Sequence, residues 1–157
     1  MSDKALRDQV AALLSWEDAH AGWDPIVDGV PDDQWGAEAP GLPYTLWQLL
    51  EHLRITQHDI LDFCRNPDYA QPRWPDDYWP PKSERPTAKA VAGSLAAFRK
   101  DRDTLTALAL DESVDLFARI PHGTGQTYLR ELLLVADHTS YHLGQMVAVR
   151  RVLGIWE

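Results

Sequence analysis

Residues 127–153, TYLRELLLVADHTSYHLGQMVAVRRVL, carry apolar side chains on two opposite faces of a helical pattern. At about 100° per residue, Leu134, Val135, Met146, Val149 and Val152 share one face, while Leu129, Leu133, Ala136, Leu143 and Val147 share the other. A helix apolar on both sides is central to a bundle, or it gives one face to the bundle and one to a partner chain. Core burial alone would explain the pattern; a homodimer is the sharper expectation. The first face also holds two histidines, His138 and His142, with Glu131 and Gln145 beside them.

The rest of the chain offers this helix only other helices to pack on. Leu6, Val10, Leu13, His20 and Val27 recur at helical spacing, which predicts a first helix over about 4–27, with Pro25 marking a kink or an early stop. The stretch DGVPDDQWGAEAPGLPY then reads as loop. Thr45 with Gln48 three residues on is a capping-box pattern, and the helix it opens ends before Pro67. Thr87 can cap a third helix over 87–110, where Val91, Leu95, Phe98, Leu105 and Leu108 form an apolar stripe. Arg150 and Arg151 suit the negative end of the last helix, and Gly154 suits the position just past its stop. No strand pattern is convincing. The expected fold is all-α: one domain over residues 1–157, a four-helix bundle with long irregular loops.

Charge and composition narrow the function. A formal net charge of -9 argues against a protein that grips nucleic acid through phosphate contacts. The single cysteine, Cys64, leaves no intrachain disulfide and no cysteine-based zinc site, and it reads as a small core residue. No apolar run approaches the roughly 18–20 residues that span a bilayer, and the start has no signal-peptide form. The expectation is a cytoplasmic protein with no membrane contact.

His138 and His142 fall about 40° apart on the helix, a spacing at which two imidazoles can chelate one metal ion. The alternative is a pair of core histidines satisfied by hydrogen bonds, although two desolvated imidazoles without a shared partner are costly. A metal needs a third ligand. His52 and His58 point about 120° apart on the second helix, so both cannot face one site. His52 flanks the apolar face and is modestly preferred; His58 has polar neighbours. His20 is a rival, or a group that orients the ligands, and Glu131 and Gln145 are further candidates for that role. His122 lies in a loop and reads as solvated. Ser140 sits about 160° round the helix from His142, so a Ser–His pair there is not expected.

These residues carry a family resemblance. TLWQLLEHLRITQHDIL, followed far downstream by VADHTSYHLGQMVAVRRVLG, resembles the DinB-like superfamily of metal-binding bundles, over nearly the whole chain. The resemblance implies a four-helix bundle holding a divalent metal, zinc or nickel, on three histidines. They correspond here to His52 in LLEHL and to His138 and His142 in DHTSYHLGQ. It also implies frequent dimerisation and, in several subfamilies, thiol S-transfer or isomerisation with a low-molecular-weight thiol. Three neutral protein ligands with an open position is the pattern of catalytic metal sites. The expected function is therefore a metal-dependent thiol S-transferase or related enzyme, with a non-catalytic metal- or small-molecule-binding dimer as the alternative.

The proline-rich segment 67–85 has no matching family role. Its aromatic residues Tyr69, Trp74, Tyr78 and Trp79 are costly to expose, so some are expected to pack on the bundle. Trp74, Tyr78 and Trp79 are candidates for a pocket wall or a lid over the metal site. A cap on the far end of the bundle is the plain alternative.

Overall fold

The computed structural model describes residues 3–15 and 19–156. Among them are five helices: α1 (Asp3–Leu13), α2 (Trp23–Val27), α3 (Leu46–Arg65), α4 (Ala88–Leu110) and α5 (Tyr128–Val152). The described residues contain no strand, only an isolated bridge between Arg119 and Thr127. The fold is an all-α bundle with loops, as the patterning indicates. No described helix is long and apolar enough to cross a membrane.

The starts of the three long helices are set by threonine. Thr45 accepts from the Gln48 amide at 3.2 Å, and the Gln48 side chain accepts from the Thr45 amide at 3.2 Å, which completes the capping box of α3. Thr87 and Thr127 cap α4 and α5 by accepting from the amides of Ala90 and Arg130. Gly154, with φ of +71°, lies just beyond α5 in the left-handed conformation that glycine adopts without strain.

The first expected helix differs. It stops at Leu13, and a separate short helix begins at Trp23; residues 16–18, which the expected helix would also include, lie outside the described residues. Pro25 explains the restart. It occupies the first turn of α2, where its missing N–H has no helical acceptor to lose. His20 consequently leaves the leucine stripe and is exposed in the connection.

Two buried arginines tie the short elements down. Arg7 on α1 donates to the carbonyls of Ala109, Asp111 and Val114 at 2.6–3.1 Å, in and just past the last turn of α4. Arg150 on α5 donates to the carbonyls of Pro25, Ile26 and Asp28 around the end of α2, and to that of Ile155. Helix ends leave carbonyls without intrahelical partners, and each guanidinium collects several of them.

The apolar core forms two clusters. One gathers Trp23, Ile26, Leu46, Leu49, Leu50, Leu53, Phe98, Leu143 and Met146; the other Val10, Leu61, Leu105, Leu116, Leu132, Val135 and Ala136. On α3 the residues between the two clusters are His52, Thr56 and Gln57; on α5 His138 and His142 stand there. A polar layer thus crosses the middle of the bundle. Ala136 and Leu143, assigned by periodicity to a second apolar face of α5, are both buried within this chain.

Candidate metal centre

α3 and α5 pack side by side and bring His52 against His138 and His142. The Nε2 atoms of His52 and His142 each lie 3.1 Å from Nε2 of His138. One ligand atom from each ring falls within 4.8 Å of the other two. His52 is 2% exposed and His142 5%, while His138 is half-buried.

The other ring nitrogen fixes the tautomer of His52 and of His142. Nδ1 of His52 donates to the Tyr78 carbonyl at 3.0 Å, an atom that can only accept. Nδ1 of His142 donates to Oε1 of Gln145 at 2.7 Å. Nδ1 of His138 faces the Thr56 hydroxyl at 3.4 Å, and that hydroxyl spends its own proton on the His52 carbonyl at 2.7 Å. The Nδ1 atoms of His52 and His142 therefore carry the proton, and their Nε2 lone pairs both face Nε2 of His138 at 3.1 Å. Two ring acceptors turned to one point is the arrangement that a shared cation satisfies.

The dimensions fit a divalent ion. Ligand distances of about 2.0–2.1 Å in a tetrahedral site put nitrogens about 3.3 Å apart, against the 3.1 Å found for two pairs. Burial also keeps the rings neutral, as ligands must be. It pulls His52 down to about 4 against the opposing pull of the Tyr78 carbonyl, with the His142 charge acting in the same direction as burial. Burial, then the charges of His142 and His52, holds His138 at about 4. Burial also lowers His142, opposed by its bond to Gln145.

These shifts set a pH dependence for the metal-free protein. Unfolded histidines titrate near 6.5, so on acidification the unfolded chain takes up protons before the folded one does. The stability these rings contribute is complete above about pH 6.5 and is lost between there and about pH 4. Urea midpoints of the apo protein should fall through this window. An asparagine at position 138 should remove part of the slope.

The proline-rich segment folds back onto the site. Trp79 stacks on the His52 ring at 3.7 Å between centroids, with planes 7° apart, and Tyr44 stacks on the other face of Trp79 at 4.4 Å. The Gln48 side chain donates to the Pro80 carbonyl at 3.1 Å, which holds the strap to α3. Tyr78 is buried and gives its phenol to Oδ2 of Asp59 at 2.8 Å; Tyr69 gives its own to Oδ1 at 2.7 Å. Trp74 overhangs, 67% exposed, its ring 6.4 Å from that of His52. A cavity of about 210 Å³ opens beside His138, walled by Thr56, Asp59, Ile60, Trp74, Tyr78 and Leu134.

The other expected participants are placed apart from the triad, except Gln145. His20 is exposed, with Nε2 3.4 Å from the Ser140 hydroxyl and Nδ1 2.9 Å from the Ala21 carbonyl. Glu131 is buried nearer the start of α5 and pairs with Arg130. His58 pairs with Asp101, and His122 donates to the Phe63 carbonyl. Burial pushes the Cys64 thiol up to about 12, with the Glu131 charge adding to it, so this cysteine stays protonated and packs as a core residue. Thr56 and Asp59 were not singled out from the sequence. They follow His52 by four and seven residues on one face of α3, and that spacing was the available signal.

The family model of the DinB superfamily matches residues 15–146. No curated protein and no solved structure gives a match.

Proposed function

Because the chain belongs to the DinB superfamily, we propose that it binds one divalent ion, zinc or nickel, on His52, His138 and His142 and acts as a metal-dependent thiol S-transferase or related enzyme in the cytoplasm. The observation that carries this reading is the convergence of three histidine Nε2 atoms beside a solvent-open cavity. A bound divalent ion would supply Lewis acidity, lowering the pKa of a thiol or water at an open position. The chain's own residues supply the rest. The carbonyl of Tyr78 and the amide oxygen of Gln145 hold two imidazoles in register. Trp79 covers the face of His52 and keeps water off it. Asp59, in the cavity wall, takes the Tyr69 and Tyr78 phenols on its two oxygens and so fixes the wall beside His138.

Metal analysis of protein purified without a histidine tag tests the first half of this reading. A thermal-shift screen of the metal-loaded protein against low-molecular-weight thiols tests the second. Stoichiometric metal with thiol-dependent stabilisation is expected, and Trp74→Ala should weaken thiol binding with metal affinity nearly unchanged. Metal that stabilises the fold without any thiol response would instead make the ion a structural staple between α3 and α5.

The same reading includes a two-fold homodimer built on α5. Leu133, on the second apolar face of that helix, is 43% exposed, which favours an apolar contact there. Sedimentation at tens of micromolar should give the dimer, and a strict monomer would exclude it.

A further inference from the structure

A second cavity, about 230 Å³, adjoins the one beside His138 and shares Asp59, Ile60 and Leu134 with it. It runs along the α3–α5 crevice toward the start of α5, where Gln126, Arg130 and Glu131 line it with Tyr69 and Gln71. Its chemistry is unlike that of the metal end. Glu131 is a carboxylate whose side chain is only 3% exposed. A carboxylate offers about four acceptor positions, and among the described residues Glu131 has one hydrogen-bonding partner, Arg130 at 2.6 Å. A buried charge with so few partners is costly unless something else completes it.

The remaining groups are equally under-used. The Arg130 side chain is 56% exposed, and Nη1 is its one engaged nitrogen among the described residues. Gln126 uses its side-chain oxygen on Thr124 and leaves its amide nitrogen without a partner there. The cavity therefore presents an acceptor for a cation, Glu131, with the negative charge of Asp59 nearby on oxygens that already take the Tyr69 and Tyr78 phenols, next to donors for an anion, Arg130 and Gln126. A group with both an ammonium and a carboxylate matches it; a lone carboxylate would meet two acids, and an apolar tail would leave every polar group unpaired.

The distance to the metal end follows from the helix. Arg130 and Glu131 precede His138 by eight and seven residues, which at about 1.5 Å each separates their backbones by roughly 10–12 Å. We infer that this cavity is a recognition subsite for an α-amino acid group carried about 10 Å from the thiol that the metal end receives. The ammonium sits against Glu131, and the carboxylate against Arg130 and Gln126. The inference rests on the proposed thiol-binding function and adds the class of thiol: one acylated by, or otherwise linked to, a free amino acid.

Two probes share the same N-acylated cysteine head and differ only in the distal group. γ-Glutamylcysteine carries a free α-amino acid there, and N-acetylcysteine does not. Calorimetric titration of the metal-loaded protein under reducing conditions should show γ-glutamylcysteine binding tighter by about tenfold or more, the effect of one or two charge-assisted hydrogen bonds. In Arg130→Gln the ratio of the two affinities should fall close to one. Equal affinities in the unmodified protein, or a preference that survives Arg130→Gln, would overturn the subsite while leaving thiol binding at the metal in place. Failure of both probes to bind would overturn the thiol function and the subsite with it.

Discussion

His142→Ala should leave the protein unable to hold a stoichiometric divalent ion while its helices remain formed. The three Nε2 atoms are the only cluster of metal-competent groups of its kind among the described residues, and loss of one leaves two neutral ligands on facing helices. Removing an outer hydrogen-bond partner of a ligand typically costs about 10–100-fold in affinity, so losing the ligand should exceed that range. Alanine has the highest helix propensity, so α5 is not broken by the change. Elemental analysis and competition titration give the affinity, and far-ultraviolet circular dichroism checks the helices. Gln145→Leu makes the graded control: it takes away only the acceptor of His142 Nδ1 and should fall within the 10–100-fold band. Full metal retention in His142→Ala would remove the site.

The largest effect on stability is expected from Arg150→Met. Arg150 is 7% exposed and donates to four main-chain carbonyls, those of Pro25, Ile26, Asp28 and Ile155. Methionine keeps much of the stem's packing but gives up the guanidinium's place over the Trp156 ring, 4.8 Å from its centroid. It donates to none of the carbonyls. Stranding several buried acceptors at once should cost about 3–5 kcal/mol, the upper part of the single-substitution range. For a chain of this size that is a fall in melting temperature on the order of 10 °C. Arg150→Lys should recover only part of it, since an ammonium has three donors and no planar fork. A loss under about 1 kcal/mol would mean that water replaces the guanidinium at the end of α2.

What could be read from the sequence was what local chemistry determines. The Thr45 and Thr87 caps and the stop before Pro67 place α3 and α4 almost to the residue, because each depends on side chains within four positions, while the Thr127 cap of α5 appears only in the structure. The convergence of His138 and His142 was legible for the same reason. His52 was preferred over His58 only by its position at the edge of an apolar stripe. The break between α1 and α2 was not legible as a restart, since a proline can end one helix or sit in the first turn of the next. The contact that separates these outcomes is Arg150 reaching the end of α2 from more than 120 residues away. Periodicity alone does not separate core from interface on the second apolar face of α5; Ala136 and Leu143 pack inside the chain, and Leu133 stays 43% exposed.

The acceptor that orients His52 is the carbonyl of Tyr78, not a side chain. Point substitution cannot delete a peptide oxygen. Tyr78→Phe would release the phenol from Asp59 and still present the same carbonyl to His52, so residue exchange at position 78 is blind to this contact. What the contact does respond to is chain length. One residue inserted or removed between Pro75 and Pro80 would shift another carbonyl, or none, over the imidazole. At this one contact the strap is tolerant in its lettering and strict in its spacing.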